Sequence, residues 1–309
     1  MTWRELREAD LPECLAIEPR HLGDAVTGRD RAVAIWKELI RSRSFNSCVV
    51  GSEDHSGRIV GFGATVFVTR NFADSEIENP QPGLSSRIIT SIANDESVVR
   101  LETDLYKTSA GDALDLATLS CAWKEGILNP DQLRKVQMLL ASSFVSQLAG
   151  YRLNRLFAEN IGRARCDFIE SSRVWQVTKR FARDESHFAV MSRQDAFAVS
   201  GSLAAYLFQY QDPILGLNDR EKHLLVEALT RRSDQDLAKA LNLSAATIKK
   251  RWQALFEKVA ELHPVILPAE NDEDRPVSRG PQKRHHILAY VRSHPEELRP
   301  YRWRSHRDA

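Results

Sequence analysis

Apolar residues follow two periods along this chain, and the place where one gives way to the other divides it. In the N-terminal two thirds, short apolar runs alternate with helical stripes. Trp3–Glu8 reads as a strand, and Asp10 then caps a helix carrying Leu11, Cys14, Leu15 and Ile17. A second helix covers Arg29–Ile40. Ser47–Gly51 and Arg58–Thr69 are β-rich runs joined by the turn-forming stretch Glu53, Asp54, His55, Ser56, Gly57, which predicts a hairpin. Leu114–Ala122 is a further apolar run. Asn129 and Pro130 then supply the cap and first turn of a long helix bearing Leu133, Val136, Leu140, Phe144 and Leu148, stopped by Gly150. Leu153–Ala158 and His187–Met191 predict strands on either side of a helix around Arg163–Trp175. The polar stretch Asn71–Thr108, interrupted by Pro80 and Pro82, predicts a long loop with short helical pieces.

Beyond Pro213 only the helical period remains. Ser233 caps a short helix, with Asp236 placed to reach back to the cap and Leu237, Ala238 and Leu241 forming the apolar stripe. Asn242 tolerates a left-handed turn, and Ser244 caps the next helix at once. In that helix Ile248, Trp252, Leu255 and Val259 share one face, while Ala245, Ala246, Lys249, Lys250 and Gln253 share the other. Small residues at the tip allow close approach to a major groove, lysines reach phosphates or guanine edges, and glutamine pairs with adenine. The candidate DNA-contacting set is therefore Ser244, Ala245, Ala246, Thr247, Lys249, Lys250, Arg251 and Gln253, with Ser244, Thr247 and Arg251 directed to phosphates. The alternative is a helical hairpin whose lysine face is simply solvated, or one that binds protein.

The segment resembles the LuxR/NarL-type helix-turn-helix. Leu217, Asn218, Asp219, Arg220, Glu221 stand where that family opens with Leu-Thr-x-Arg-Glu. Asp236, Leu237, Ala238 match its Glu-Ile-Ala, Ser244 to Lys249 its Ser-x-x-Thr-Val-Lys, and Lys258-Val259 its closing Lys-Leu. Arg231 replaces the usual glycine and Arg251 the usual histidine. The resemblance implies a transcription regulator that binds double-stranded DNA as a homodimer on a two-part site.

Composition changes this picture little. The 309 residues carry a net charge of +1, so any nucleic-acid affinity has to be local. With no membrane-length apolar run and no leader-like N-terminus, a cytoplasmic protein is expected. Cys14, Cys48, Cys121 and Cys166 are scattered, which predicts reduced, buried thiols. Residues 1–198 form an expected α/β domain and 199–214 a connector. Residues 215–263 form a small all-α domain, 264–278 a linker with the acidic cluster Glu270, Asp272, Glu273, Asp274, and 279–309 a basic tail with a helix over His285–Ser293. In that tail Arg279, Lys283 and Arg284 are candidate auxiliary DNA contacts. His285, His286 and His294 lack a completing ligand, so neither a metal nor a cofactor is expected.

The order of elements in the N-terminal domain resembles the GCN5-related N-acetyltransferase fold, as do Leu6-Arg7-Glu8-Ala9-Asp10-Leu11-Pro12 and Gly61-Phe62-Gly63. The resemblance implies a mixed sheet with helices, and a loop of backbone amides after the fourth strand to hold the acetyl-coenzyme A pyrophosphate. The corresponding stretch, Trp123 to Pro130, has one glycine, and Pro130 removes an amide donor. The expectation is accordingly no enzyme and no catalytic residues, but a sensor or dimerisation module for an unidentified small-molecule effector. The alternative is an active acyl-coenzyme A-dependent N-acyltransferase. Glu102, Asp104, Tyr106, Tyr151 and Glu159 are read as structural. A phosphoacceptor receiver and an autoinducer-binding domain are disfavoured, because their acidic and aromatic patterns are not found.

Overall fold

The computed structural model describes residues 1–17, 28–42, 44–51, 58–100, 105, 113–182, 185–230, 233–267 and 280–300. The hairpin turn at 53–57, Glu102, Asp104, Tyr106, Arg231, the acidic cluster at 270–274 and Arg279 lie outside the described residues. The chain divides into two compact units, Met1–Gln209 and Tyr210–Ala309.

The first unit is a mixed α/β sheet covered by helices on both faces. In chain order its elements are β1 (Thr2–Arg4), α1 (Leu11–Ile17), α2 (Arg29–Arg41), β2 (Phe45–Gly51), β3 (Ile59–Val68), α3 (Arg70–Glu78), α4 (Leu84–Ala93) and β4 (Leu114–Trp123). Then come α5 (Pro130–Leu148), β5 (Leu153–Ile161), α6 (Arg163–Ser171), β6 (Gln176–Phe181), β7 (Ser186–Ser192), α7 (Arg193–Ala198) and α8 (Ala204–Leu207). The strands lie in the order β1-β2-β3-β4-β5-β7-β6. All pairs are antiparallel except β4 with β5, which α5 connects as a crossover. Side-chain alternation sends Val49, Phe62, Val66, Ala117, Phe157 and Phe188 into a core with α1, α2 and α4. The opposite face presents Cys48, Val50, Val60 and Trp123 to Val136 and Leu140 of α5.

α5 begins where its cap dictates. The Asn129 side chain accepts from the amides of Asp131 and Gln132, the Gln132 side chain accepts from the Asn129 amide at 3.0 Å, and Pro130 occupies the first turn. The helix lies close on β3: a Cβ at Gly61 would stand 2.8 Å from Val136 Cγ1.

Two parts of this unit differ from the sequence expectation. The stretch expected as a long loop contains two regular helices, α3 and α4, with Pro80 and Pro82 confined to the break between them. α4 buries Leu84, Ile88, Ile89 and Ala93 at helical spacing. The helix expected over Arg163–Trp175 ends at Ser171, and the polar run after Trp175 forms the edge strand β6. Edge strands expose one side and need no apolar signature.

The described elements of the second unit are helical: α9 (Asp219–Ala228), α10 (Asp234–Ala240), α11 (Ala245–Leu262) and α12 (Gly280–Ser293), with single turns at Pro264–Ile266 and Pro295–Leu298. Asn218 and Ser233 make reciprocal caps with Glu221 and Asp236. Asn242 takes the left-handed conformation, with φ of 52°. One core joins Leu224, Leu225 and Leu237 to Ile248, Trp252, Leu255 and Val259 of α11 and to Ile287, Leu288 and Val291 of α12. No helix among the described residues is long and apolar enough to cross a membrane.

Candidate active site

The sheet of the first unit opens along one seam. β4 and β5 pair in parallel from Leu114↔Leu153 to Thr118↔Ala158, and there the ladder ends. Both strands continue, β4 to Trp123 and β5 to Ile161, without pairing to each other. Crevices at the carboxyl ends of parallel strands are the usual ligand sites of α/β sheets, because the parting strands leave backbone groups facing a gap.

A β-bulge in β4 lies at the start of the opening. Ala64 pairs with Ser120 and Thr65 with Thr118, so Leu119 is the extra residue. Its carbonyl accepts from Ser85 Oγ of α4 at 2.5 Å, which fixes the bulge from the opposite face. Glu159, in the parting segment of β5, accepts from the amides of Gly83 and Leu84 at 2.7 and 2.8 Å and so anchors the start of α4. Tyr151 is buried against Phe67, with ring centroids 4.8 Å apart.

A cavity of about 310 Å³ adjoins the opening on the α5 side of the sheet. Its floor is formed by Asn46, Cys48, Gly63, Thr65, Thr118, Ser120 and Ala158. α5 contributes Leu140, Ala141, Phe144 and Leu148, and the far wall is Phe168, Ile169, Trp175, Met191 and Leu207. The surface it presents is overwhelmingly apolar. Four polar atoms of residues that line it are themselves buried and have no hydrogen-bond partner among the described residues: Asn46 Nδ2, Ser47 Oγ, Ser120 Oγ and Asn160 Nδ2. Ser47, Ser120 and Asn160 are 4 %, 7 % and 5 % exposed. An unpaired buried polar atom costs about 1–3 kcal/mol, so such groups gain when a side-chain rotation turns them to a polar ligand atom in the cavity. Ser120 and Asn160 each lie two residues beyond the last β4–β5 pair, one on each lip of the opening.

Thiols also line the cavity. Cys48 and Cys121 flank Gly63 on neighbouring strands. Ser143 Oγ donates to Cys48 Sγ at 2.8 Å, and burial pushes the Cys48 thiol up to about 12. It is therefore a neutral packing group at physiological pH, not a nucleophile. Burial likewise raises the Cys14 and Cys166 thiols.

The residues singled out by sequence for DNA contact lie in the second unit, on α11. Ser244 Oγ caps the helix through the Thr247 amide at 3.1 Å and lies 2.8 Å from Thr247 Oγ1. Ala245, Ala246, Lys249, Lys250 and Gln253 are exposed and share a face, while Thr247 and Arg251 are half-buried. Gln253 Nε2 donates to Glu257 at 2.8 Å. Of the auxiliary candidates, Lys283 is half-buried; Arg284 is held by Asp234 at 2.8 Å and lies over the Trp252 ring at 4.9 Å.

No family model matches the chain, and no curated protein matches it. Solved structures similar to its first three fifths include aminoglycoside 6′-acetyltransferase type Ii (7 % identity, 62 % of this chain, 97 % of that one, TM-score 0.35). Arabidopsis thaliana NAA60 in complex with acetyl-CoA is similar at 13 % identity, covering 61 % and 95 % with a TM-score of 0.37. FeeM, an N-acyl amino acid synthase from uncultured soil microbes, is similar at 8 %, covering 62 % and 93 % with a TM-score of 0.34.

These findings correct two expectations. The reading of the chain as no enzyme is overturned, since the similar structures are acetyl- and acyl-transferring enzymes. That reading rested on the composition of the 123–130 loop. The assignments to transcription regulation and DNA binding, with the LuxR-type label, are withdrawn as well, since the similar structures, which match about three fifths of the chain, lend them no support. Their physical basis was a capped helical hairpin with an exposed lysine face, and such a face is also the ordinary solvated side of a surface helix.

Proposed function

We propose that the first unit is an acyltransferase that moves an acyl group from a thioester such as acyl-coenzyme A to an amine. The observation that carries this reading is the parting of the parallel pair after Thr118↔Ala158, with an apolar cavity opening beside it. A thioester arm lying between β4 and β5 hydrogen-bonds to the free strand edges, and its carbonyl lies between Ser120 Oγ and Asn160 Nδ2, two unsatisfied groups able to donate. Donors fixed in a dry site stabilise the negative charge that develops on that oxygen when an amine attacks. The C–N bond forms, the C–S bond breaks, the amine proton passes to the departing sulfur through solvent, and the products are an amide and a free thiol. The N-terminus of α5 shapes donor binding: Asn129 already accepts from the amides of Asp131 and Gln132, so donor phosphates compete with a side-chain cap.

The test is release of free thiol from acyl-coenzyme A by the full chain, measured with a thiol reagent across a panel of primary amines. Asn160→Ala is expected to lower kcat about 100-fold with a smaller change in KM, in the range seen when one oxyanion donor is removed. Absence of amine-dependent thiol release with every donor and amine would remove this reading.

A further inference from the structure

We infer that the cavity holds the tail of a linear, medium-length acyl chain of roughly eight to twelve carbons, so that the preferred donor is a fatty acyl thioester and not an acetyl one. The inference rests on the acyltransferase reading for the identity of the donor, and on the cavity itself for the chain.

Three observations support it. First, size: about 310 Å³ corresponds to roughly ten volumes of ~30 Å³, the share of one water or of a similarly sized methylene. An acetyl group would leave most of that space empty. Second, lining: away from the strand opening Phe144, Phe168, Trp175, Met191 and Leu207 offer an alkyl chain contact, and apolar atoms make up nearly all of the surface that the cavity presents. Third, the space is made by small residues in positions where packing does not demand them. A Cβ at Gly63 would meet Cys48 Sγ at 3.5 Å and Leu140 Cδ2 at 3.7 Å, ordinary contact distances, so the missing side chain there leaves volume and does not relieve a clash. Ala141 and Ala158 line the same space. Polar donors at the lips and an apolar interior behind them fit a ligand with one carbonyl end and a hydrocarbon tail.

The experiment has two arms, both on the full chain. In the first, unesterified fatty acids of four to sixteen carbons are titrated by calorimetry. Affinity is expected to rise about fourfold per methylene, the equivalent of about 0.8 kcal/mol, up to about ten carbons and then level off. In the second, acyl-coenzyme A donors of the same lengths are compared by thiol release with an amine panel. Ala141→Leu is expected to move the optimum two to four carbons shorter in both arms. Phe144→Ala, which enlarges the cavity, is expected to move it longer, so failure of one variant to fold leaves the other informative. Length-dependent fatty acid binding without thiol release would support the chain-binding cavity and overturn the transferase reading. Thiol release that is fastest with acetyl-coenzyme A and insensitive to both variants would keep the transferase reading and overturn this one. Fatty acid affinity that does not change with chain length would also overturn it.

Discussion

The two units differ in where their unpaired buried polar groups lie. In the second, the buried carboxylate of Glu297 and the Lys222 ammonium find partners within the core, while Trp252 Nε1 stands without one among the described residues. The Glu297 carboxylate accepts from the amides of Ile214 and Leu215, at 2.8 Å and 3.1 Å, and Lys222 Nζ donates to the Arg299 carbonyl at 2.6 Å. In the first, four of the unpaired atoms belong to residues gathered around one cavity, with others such as Trp36 Nε1 and Ser186 Oγ elsewhere. Unsatisfied groups gathered around a cavity, unlike single ones scattered through a packed core, store free energy where a ligand can release it. The filled unit reads as a structure finished by its own contacts, and the other as one that a bound molecule completes.

The largest expected effect tests the filled unit. Trp252→Ala removes a side chain packed between Phe256, at 5.7 Å between centroids, and the Arg284 guanidinium, and should cost about 3–5 kcal/mol. Calorimetry of the full chain should show the second unit's transition lowered and the first unit's unmoved.

A matched pair of substitutions sharpens the contrast. Ala158→Val adds volume into the cavity and should stabilise the first unit by about 0.5–2 kcal/mol, as cavity filling commonly does. Ala228→Val adds the same atoms to a fully buried position in the filled core and should destabilise the second unit by about 1–3 kcal/mol. Equal signs in denaturant titrations of the two variants would erase the distinction.

Acid should separate the units further. Burial holds the His187 imidazole below the usual histidine value, despite a contact of 3.1 Å from Nδ1 to Glu170, so the folded first unit binds a proton less readily than the unfolded chain. Its stability is full above about pH 6.5 and falls as the pH drops below that value. Burial raises the Glu296 carboxyl instead, so its contribution is full below the ordinary glutamate value near 4.5 and is lost as the pH rises through the raised value. Melting curves between pH 4 and 8 should therefore show His187→Gln flattening the acid-side loss in the first unit. Glu296→Gln should stabilise the second unit near neutral pH and not at pH 4.

The smallest effect concerns the cap of α5. Asn129→Ala should cost about 1 kcal/mol of stability by freeing the amides of Asp131 and Gln132. If donor phosphates compete for those amides, KM for acyl-coenzyme A should fall in the same variant.

Much of the architecture was legible because it is written locally. Asn129-Pro130, Asn218, Ser233 and Ser244 cap helices through side chains within three residues of themselves, and β3 is a continuous apolar run because both its faces are covered. α3 and α4 were hidden by Pro80 and Pro82, which mark the gap between two helices as readily as they mark a loop. β6 was hidden by its polar edge position. The cavity had no local signature at all. Its floor is drawn from four strands and its roof from α5 and α6, and Ser120 and Asn160 become lips only when a ladder between two distant segments stops. The lysine face of α11 is the opposite case, a clear local pattern that sets the shape of a helix without setting what touches it.

The bulge at Leu119 also works as a change of parity. Before it, even-numbered residues of β4, Leu114, Leu116 and Thr118, face the α5 side; after it, odd-numbered residues, Cys121 and Trp123, do so. A scan of charged substitutions along β4 should therefore show one abrupt phase slip. A deletion of Leu119 would remove the extra residue and the slip with it, leaving Trp123 opposite Gly61 on the α5 side, whereas one residue inserted after Ser120 would turn the end of the strand inside out.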